Sequence, residues 1–517
     1  MSILNVEKVT HGYGARRILE DASFRLLKGE HVGLVGANGE GKSTFLNIIT
    51  GALTPDEGTV NWCSHVTVGY LDQRTALENG KTIRDVLREA FSNMFKLEQD
   101  MLDMYARMGE ASEEEMSSLM EEVGELQDIL ETSGFYVIDS RIEEYSNGLG
   151  LGEIGLARDV SELSGGQRTK VLLTKLLLEN PMILILDEPT NYLDENHIIW
   201  LTNFLQNYDN AFILVSHDVG FLNDVVNVVY HVEDAVLTRY KGSYDEFIEM
   251  YELKKRQVEQ AYEKQQKEIA HLEDFIARNK ARAATANMAK GRQKKLDKMD
   301  VIELARDKPK PTFAFAYSRA PGKVVIGADK LVIGYETALT QPKKFEIERG
   351  QKIAIKGVNG LGKSTLLKTM LGIIPPFEGS VERDYYVESG YFEQEHAGGS
   401  NTALEELWQE YPSMTNAEVR GALARCGLTT QHIESQVRVL SGGENAKLRL
   451  CKLMLRTMNL LVLDEPTNHL DVFAKEALAK AIEEFKGTVI LVSHEPEFYE
   501  RFVTDIWNLE DWTMKSV

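Results

Sequence analysis

Gly36-Ala-Asn-Gly-Glu-Gly-Lys-Ser-Thr44 and Gly357-Val-Asn-Gly-Leu-Gly-Lys-Ser-Thr365 are two copies of one pattern, G-x-x-x-x-G-K-[ST], in a chain of 517 residues. The pattern has a direct mechanical reading. Small residues let backbone N–H groups come close to phosphate oxygens, which then also sit at a helix N-terminus. Lys42 and Lys363 are placed to reach the β and γ phosphates, and Ser43 and Ser364 to ligate Mg²⁺. An apolar run leads into each loop, HVGLVG from His31 and KIAIKG from Lys352, and a helical pattern follows. Strand, loop, helix is the setting that a phosphate loop needs.

The two loops are 321 residues apart, and so are Gln73 and Gln394, each ending a Gly-Tyr-x-x-Gln. Further on the offset becomes 277: LSGGQ from Leu163 pairs with LSGGE from Leu440, LDEPTNYLD ending at Asp194 with LDEPTNHLD ending at Asp471, and His217 with His494. The chain is therefore an internal duplication, with 44 extra residues in its first half between Gln73 and Leu163. The runs MILILDE and NLLVLDE are continuously apolar, as expected of strands buried on both faces of a mostly parallel sheet. The fold class is α/β, twice. Asp187 and Asp464 end these strands, the usual place for the acid that holds a hydrated Mg²⁺. Glu188 and Glu465 are positioned to orient or deprotonate an attacking water, and His217 and His494, each after Ile-Leu-Val-Ser, to hold that water and the γ phosphate.

The surplus coincides with a helical hairpin pattern over about 88–135: Leu97, Met101, Met104 and Met108, a break at Gly109, then Leu119, Val123, Leu126 and Leu130. Ser112-Glu-Glu-Glu115 is a capping box for its second helix. Phe95 to Glu131 holds 12 acidic and 2 basic residues, which reads as a face turned to protein or solvent. From about Tyr251 to Lys310 the chain is charged and almost free of Gly and Pro, the pattern of two helices broken at ARAATANMAKG. Within it, from Phe275 to Met299, Arg278, Lys280, Arg282, Lys290, Arg292, Lys294, Lys295 and Lys298 stand against Asp297 alone. The expected division is a first nucleotide-binding domain over 1–250, a basic two-helix linker over 251–322 and a second nucleotide-binding domain over 323–517.

The chain as a whole carries a net charge of −22, so nucleic acid can be touched only where positive charge is concentrated. Cys63, Cys426 and Cys451 offer no C-x-x-C spacing, which excludes a disulfide framework and a Cys-rich metal site and fits a reducing compartment. The first residues lack a signal-peptide pattern, and no run approaches the ~18 apolar residues of a membrane span. A cytoplasmic chain without a membrane partner is expected.

These motifs together resemble ATP-binding cassette (ABC) nucleotide-binding domains, with Walker A, Q-loop, signature, Walker B, D-loop and His-switch in order in both halves. The resemblance implies two ABC-type domains in tandem, packed head to tail, each ATP and its Mg²⁺ held between one half's Walker A and the other half's signature. Gly36, Asn38, Gly39, Gly41, Lys42, Ser43 and Thr44 would then face Ser441, Gly442, Gly443 and Glu444. Gly357, Asn359, Gly360, Gly362, Lys363, Ser364 and Thr365 would face Ser164, Gly165, Gly166 and Gln167. Gln73 and Gln394 resemble the Q-loop residues that reach nucleotide and metal, and Tyr13 and Tyr335 the aromatic that stacks on adenine. Glu444 stands where the signature usually ends in Gln.

More specifically, the chain resembles the ABC-F family of ribosome-binding ATPases, through the tandem pair without a membrane segment, the extra hairpin, the basic helix pair and DEPTN-x-LD in both halves. That resemblance implies an ATPase that binds the ribosome in its ATP-closed form and leaves on hydrolysis. Its linker would approach rRNA, P-site tRNA and the peptidyl transferase centre, to modulate translation or protect the ribosome. It implies a monomer whose halves pair within one chain, with no DNA partner. The alternative is the tandem ATPase subunit of a membrane importer, which has no use for a basic helix pair and more often carries Ser or Ala where Asn191 and Asn468 stand. An architectural or DNA-repair cassette would call for long coiled coils or zinc cysteines.

Overall fold

The apolar runs form the strands expected of them. The computed structural model describes residues 2–513 apart from 14–15, 72–76, 79, 109–111, 280–285, 300–309, 394–398 and 469. In the first half, Val68–Tyr70, Ile183–Asp187, Ala211–Val215, His31–Val35 and Val228–Glu233 lie side by side in that order, all parallel, and Val236–Lys241 closes the edge antiparallel. In the second half Ser389–Phe392, Leu460–Asp464, Thr488–Val492, Lys352–Lys356 and Asp505–Asn508 repeat the five parallel strands. Ile183 to Leu186 are fully buried, so both faces of the strand are covered, which is why the run has no polar alternation.

Helices Gly165–Glu179, Glu195–Gln206 and Val219–Val225 cover one face of the first sheet, packing Leu173, Leu177, Leu201, Leu205 and Phe221 against Leu184, Leu186 and Phe212. The other face is covered by helix Lys42–Ile49 and by a second sheet, antiparallel, of Arg16–Leu27, Ser2–Tyr13 and Glu57–Trp62. Lys343–Glu348, Val324–Val332 and Glu378–Arg383 do the same in the second half. Phe24 joins these layers, its ring 5.2 Å from Phe45 and 4.3 Å from Tyr230. The registers bring the strand ends together: Asp187 pairs with Val215, two residues before His217, and His31–Val35 ends just before the Gly36 loop. Residues far apart in sequence thereby share one sheet edge.

The surplus residues form helices Ser92–Met108 and Glu113–Thr132, with Met101, Leu119, Val123 and Leu130 buried between them and the first half. The Ser112 box is formed as read, with Ser112 N–H donating to Glu115 Oε2 (3.1 Å) and Glu115 N–H to Ser112 Oγ (3.5 Å); Gly109 lies outside the described residues. Between the halves run helix Tyr244–Asn279, of 36 residues, and helix Ala286–Asp297. Leu272 and Ile276 are buried there, the Arg292 guanidinium sits 3.5 Å over the Phe275 ring, and Lys295 Nζ is 2.6 Å from Glu268 Oε1. No helix breaker separates residues 244 and 279, so one helix runs through 250/251, and Phe313, ahead of 323, is buried in the second half's core because an aromatic ring gains by leaving water.

Phe24→Ala is expected to cost about 3–5 kcal/mol, the range for deleting a buried aromatic that bridges layers. Urea unfolding of the variant checks this, and a change under about 1 kcal/mol would mean the antiparallel sheet is not bound through that ring.

Candidate active site

The phosphate loops are built where only glycine fits. Gly41 has φ 102°, and a Cβ there would lie 2.3 Å from Ile18 Cγ2; at Gly36, with φ 154°, it would lie 2.5 Å from the Val232 carbonyl oxygen. Helices Lys42–Ile49 and Lys363–Met370 start without a side-chain cap, so their first-turn N–H groups remain available to an anion. Lys42 and Lys363 are buried. Lys42 Nζ donates to the carbonyls of Gly36 (2.7 Å) and Ala37 (3.2 Å). Lys363 Nζ donates to Gly357 O (2.7 Å), Val358 O (3.3 Å) and Asn359 Oδ1 (3.0 Å). Burial pulls both ammonium groups below the ordinary lysine range, opposed chiefly by Glu188 at Lys42 and by Glu465 at Lys363.

Ser43 Oγ donates to Asp187 Oδ2 at 3.3 Å. Burial raises the Asp187 carboxyl, and in the second half it pushes Asp464 up to about 6, with the Ser364 hydroxyl acting against it. Asp464 Oδ1 is buried and has no hydrogen-bond partner among the described residues. One hydroxyl and one needy carboxylate fit Mg²⁺, which takes few protein oxygens and keeps its waters. No group of three or more His, Cys, Asp or Glu able to cage a metal occurs among the described residues.

Glu188 (φ 50°) and Glu465 (φ 47°) both adopt the left-handed conformation, a local strain held by their N–H groups donating to Val215 O (2.9 Å) and Val492 O (3.0 Å). That turn aims each side chain back into the site. His217 Nε2 lies 3.0 Å from Asn38 Oδ1 and 3.5 Å from Glu188 Oε1, and His494 Nε2 lies 3.1 Å from Asn359 Oδ1 and 3.5 Å from Glu465 Oε1. The structure thus brings Lys, Ser, Asp, Glu, His and the loop Asn together twice, with closely matching distances.

A family model described as ABC transporter matches residues 19–191 and 340–468, and a second so described matches 230–315. The ABC transporter ATP-binding protein YfmM of Bacillus subtilis (strain 168) is 62% identical over the full length of both chains. ABC transporter F family member 2 of Arabidopsis thaliana is 35% identical, over 98% of this chain and 76% of its own. The chain belongs to the ABC-F family. It is an ATP-binding protein and an ATPase. Among solved structures, the archaeal ribosome recycling factor aABCE1, in complex with the stalk protein aP1, shares the fold with a TM-score of 0.60 at 20% identity, over 97% of this chain and 87% of that one. A model of ribosome-bound archaeal Pelota and ABCE1 gives 0.57 at 20%, over 95% and 74%.

In this ABC-F protein the signature serines cap the helices that follow. Ser164 N–H donates to Gln167 Oε1 (3.0 Å) and Ser441 N–H to Glu444 Oε2 (2.9 Å). A capping box accepts either side chain at that place, so Glu444 leaves the cap intact, and it also lies 3.1 Å from His432 Nε2. The halves meet at the active sites: Lys475 Nζ donates across to His217 O (3.3 Å), Asp471 favours the charged form of Lys42, and Asp194 that of Lys363. Tyr13 and Tyr335 are exposed at 55% and 64%, open to stacking. Gln73, Gln394, Lys280 and Arg282 lie outside the described residues.

The two sites differ in charge. Burial first, then Asp187, pushes Glu188 up to about 8, whereas Glu465, which burial also raises, ends below the ordinary range because the His494 hydrogen bond and the charges beside it outweigh burial. His217 is driven well below its ordinary value by burial and then by Lys42 and Lys475, so its imidazole is neutral at pH 7. Sequence reading missed three participants: Lys475; Asn468, whose Nδ2 donates to Glu465 Oε2 (2.7 Å); and Lys447, whose Nζ meets Asp471 Oδ2 at 2.7 Å with both side chains buried. The signal for Lys447 was present, since Lys170 precedes it by the repeat offset in an equally apolar helix.

Removing one partner of a buried pair strands the other charge, so Lys447→Met is expected to destabilise by about 3–5 kcal/mol in urea unfolding at pH 7. Burial acts to raise Asp471, and Lys447 outweighs it, leaving the carboxyl below its ordinary value. The pair's contribution is therefore present at neutral pH and is lost as pH falls through the folded-state value. The deficit of the variant should shrink in acid; a deficit independent of pH would refute the ion pair as its cause.

Proposed function

We propose that this ABC-F ATPase is a cytoplasmic, monomeric translation factor that binds the ribosome with both sites closed on ATP and Mg²⁺ and departs after hydrolysis. Lys42 and Lys363 would exchange their loop carbonyls for phosphate oxygens. Ser43 with Asp187, and Ser364 with Asp464, would hold the metal, joined by Gln73 and Gln394. The metal neutralises charge that builds up during phosphoryl transfer. Glu188 and Glu465 orient the attacking water or take its proton, and His217 and His494, steadied by Asn38 and Asn359, hold it in place. Ser164 to Gln167 and Ser441 to Glu444 would close each site from the opposite half, with Tyr13 and Tyr335 on the adenine.

The observation that carries the ribosomal reading is the basic segment from Phe275 to Met299, within the helix pair of an otherwise acidic ABC-F chain. Arg278, Lys290, Lys294 and Lys295 are exposed there, and clustered exposed cations are what a phosphate backbone attracts. The solved neighbour described as ribosome-bound is a precedent for two cassettes of this fold at a ribosome. In this reading the linker reaches rRNA and P-site tRNA near the peptidyl transferase centre and adjusts or protects it.

Glu188→Gln with Glu465→Gln should bind ATP, lose turnover and co-sediment with ribosomes in sucrose gradients only when ATP is present; no ATP-dependent enrichment would sink the reading. Arg278→Gln, Lys290→Gln and Lys294→Gln together should weaken ribosome binding and reduce its salt dependence, by roughly one unit of log–log slope for each phosphate no longer neutralised, with ATP affinity unchanged. Equal weakening of ATP binding would point to a damaged fold. Arg292 is left out because its stack on Phe275 joins the two helices.

A further inference from the structure

The repeat offset sets Lys475 of the second half opposite Ile198 of the first. Lys475 lies in the first turn of helix Val472–Glu484, and its side chain is 14% exposed. Its Nζ donates to Glu495 Oε1 (2.8 Å) and Oε2 (2.7 Å) and, across the divide between the halves, to the main-chain oxygen of His217 (3.3 Å). An ammonium has three N–H donors, and three oxygens receive them. Glu495 follows His494 directly. Lys475 is thus tied to the residue beside one active-site histidine while it grips the backbone of the other.

The His217 main chain carries the ring that stands 3.0 Å from Asn38 and 3.5 Å from Glu188, so a hold on that carbonyl fixes the imidazole against the carboxylate. The mirror-image contact has no chemistry to support it. The Ile198 side chain has no polar hydrogen to donate, and Asp218, at the place of Glu495, accepts from Phe221 N–H at 3.0 Å to cap its own helix. A 460 Å³ cavity between the halves, lined by His217, His494, Lys475 and Glu495, runs beside this link, so the carbonyl borders open space on that side.

We infer that Lys475 is a positioning residue supplied in trans to the first ATP site, which makes hydrolysis by Lys42, Glu188 and His217, but not by their counterparts, dependent on this contact between the halves. The inference rests on the assignment of Glu188 and Glu465 as the hydrolytic carboxylates. The two sites are then unequal by construction: separation of the halves withdraws a support from the first site and none of this kind from the second.

The experiment isolates each site in the full-length chain. With Glu465→Gln, turnover reports the first site, and with Glu188→Gln the second. In the first background Lys475→Ile, which installs the residue of the other half, is expected to lower kcat about tenfold, the scale of one hydrogen bond from a charged donor. KM for ATP should be unchanged, because Lys475 bonds to no residue of the phosphate loop, and Lys475→Arg should restore most of the rate. In the second background the loss should be at least about fivefold smaller. Equal losses in the two backgrounds, or none in the first, overturn the inference. Persistent turnover by the Glu188→Gln, Glu465→Gln chain would instead overturn the assignment beneath it, so the two failures are distinguishable.

Discussion

A lysine ammonium cannot leave water without oxygens to receive its protons, and this fold buries one beside each phosphate loop. Around Lys42 the requirement is met by loop carbonyls that converge only because glycines allow the backbone to turn left-handed. It is met more distantly by Glu188, Asp187 and, from the other half, Asp471. The parallel sheet is what places those acids there, since strands running the same way deliver their C-terminal residues to one edge. Loop, carboxylates and partner domain are thus answers to one electrostatic demand, which phosphate oxygens meet equally well. A site that stabilises a cation with replaceable oxygens is preadapted to an anion that brings its own.

Duplication repeats this solution without repeating its surroundings. His217 and His494 keep nearly the same distances to Asn and Glu, yet Glu188 is pushed up to about 8 while Glu465 is drawn down. The difference lies in how the shared residues are paired. Burial and then Asp187 raise Glu188 against the opposing charges of Lys42 and Lys475, whereas hydrogen bonds from His494 and Asn468 and the charge of Lys363 draw Glu465 down. Two sites built from one pattern can therefore differ in chemistry through the contacts that its residues make.

Much of this was legible in the sequence, for a physical reason. Phosphate loops, buried strands and cap residues are local: Gly41, Ser112 and the Ile183–Asp187 run each carry their constraint within a few residues of themselves. The antiparallel sheets were not read because their strands are half-covered and irregular in register, so neither a clean alternation nor a continuous apolar run marks them. No local signal marks a boundary near 250, because one helix spans it and nothing in the residues breaks it. Lys475 escaped notice for the opposite reason to the motifs. Its role exists only where two distant segments meet, and its own neighbours, Ala474 and Glu476, mark it as an ordinary helical lysine.

The last tension is electrostatic: a chain with net charge −22 carries a cationic segment suited to phosphate. Distance resolves it. Helix Tyr244–Asn279 has 36 residues, and at about 1.5 Å per residue its far end, against which the basic helix Ala286–Asp297 packs, lies about 50 Å along the axis from the cassette where it begins. The Debye length at physiological salt is about 8 Å, so the acidic domains are screened from that end several times over. The segment also has to hold its shape over that reach, and buried Leu272 and Ile276, with the Arg292 stack on Phe275, pin the second helix to the first. Acidic domains and a cationic segment can then act independently in one molecule, because the helix between them is longer than the range of either field.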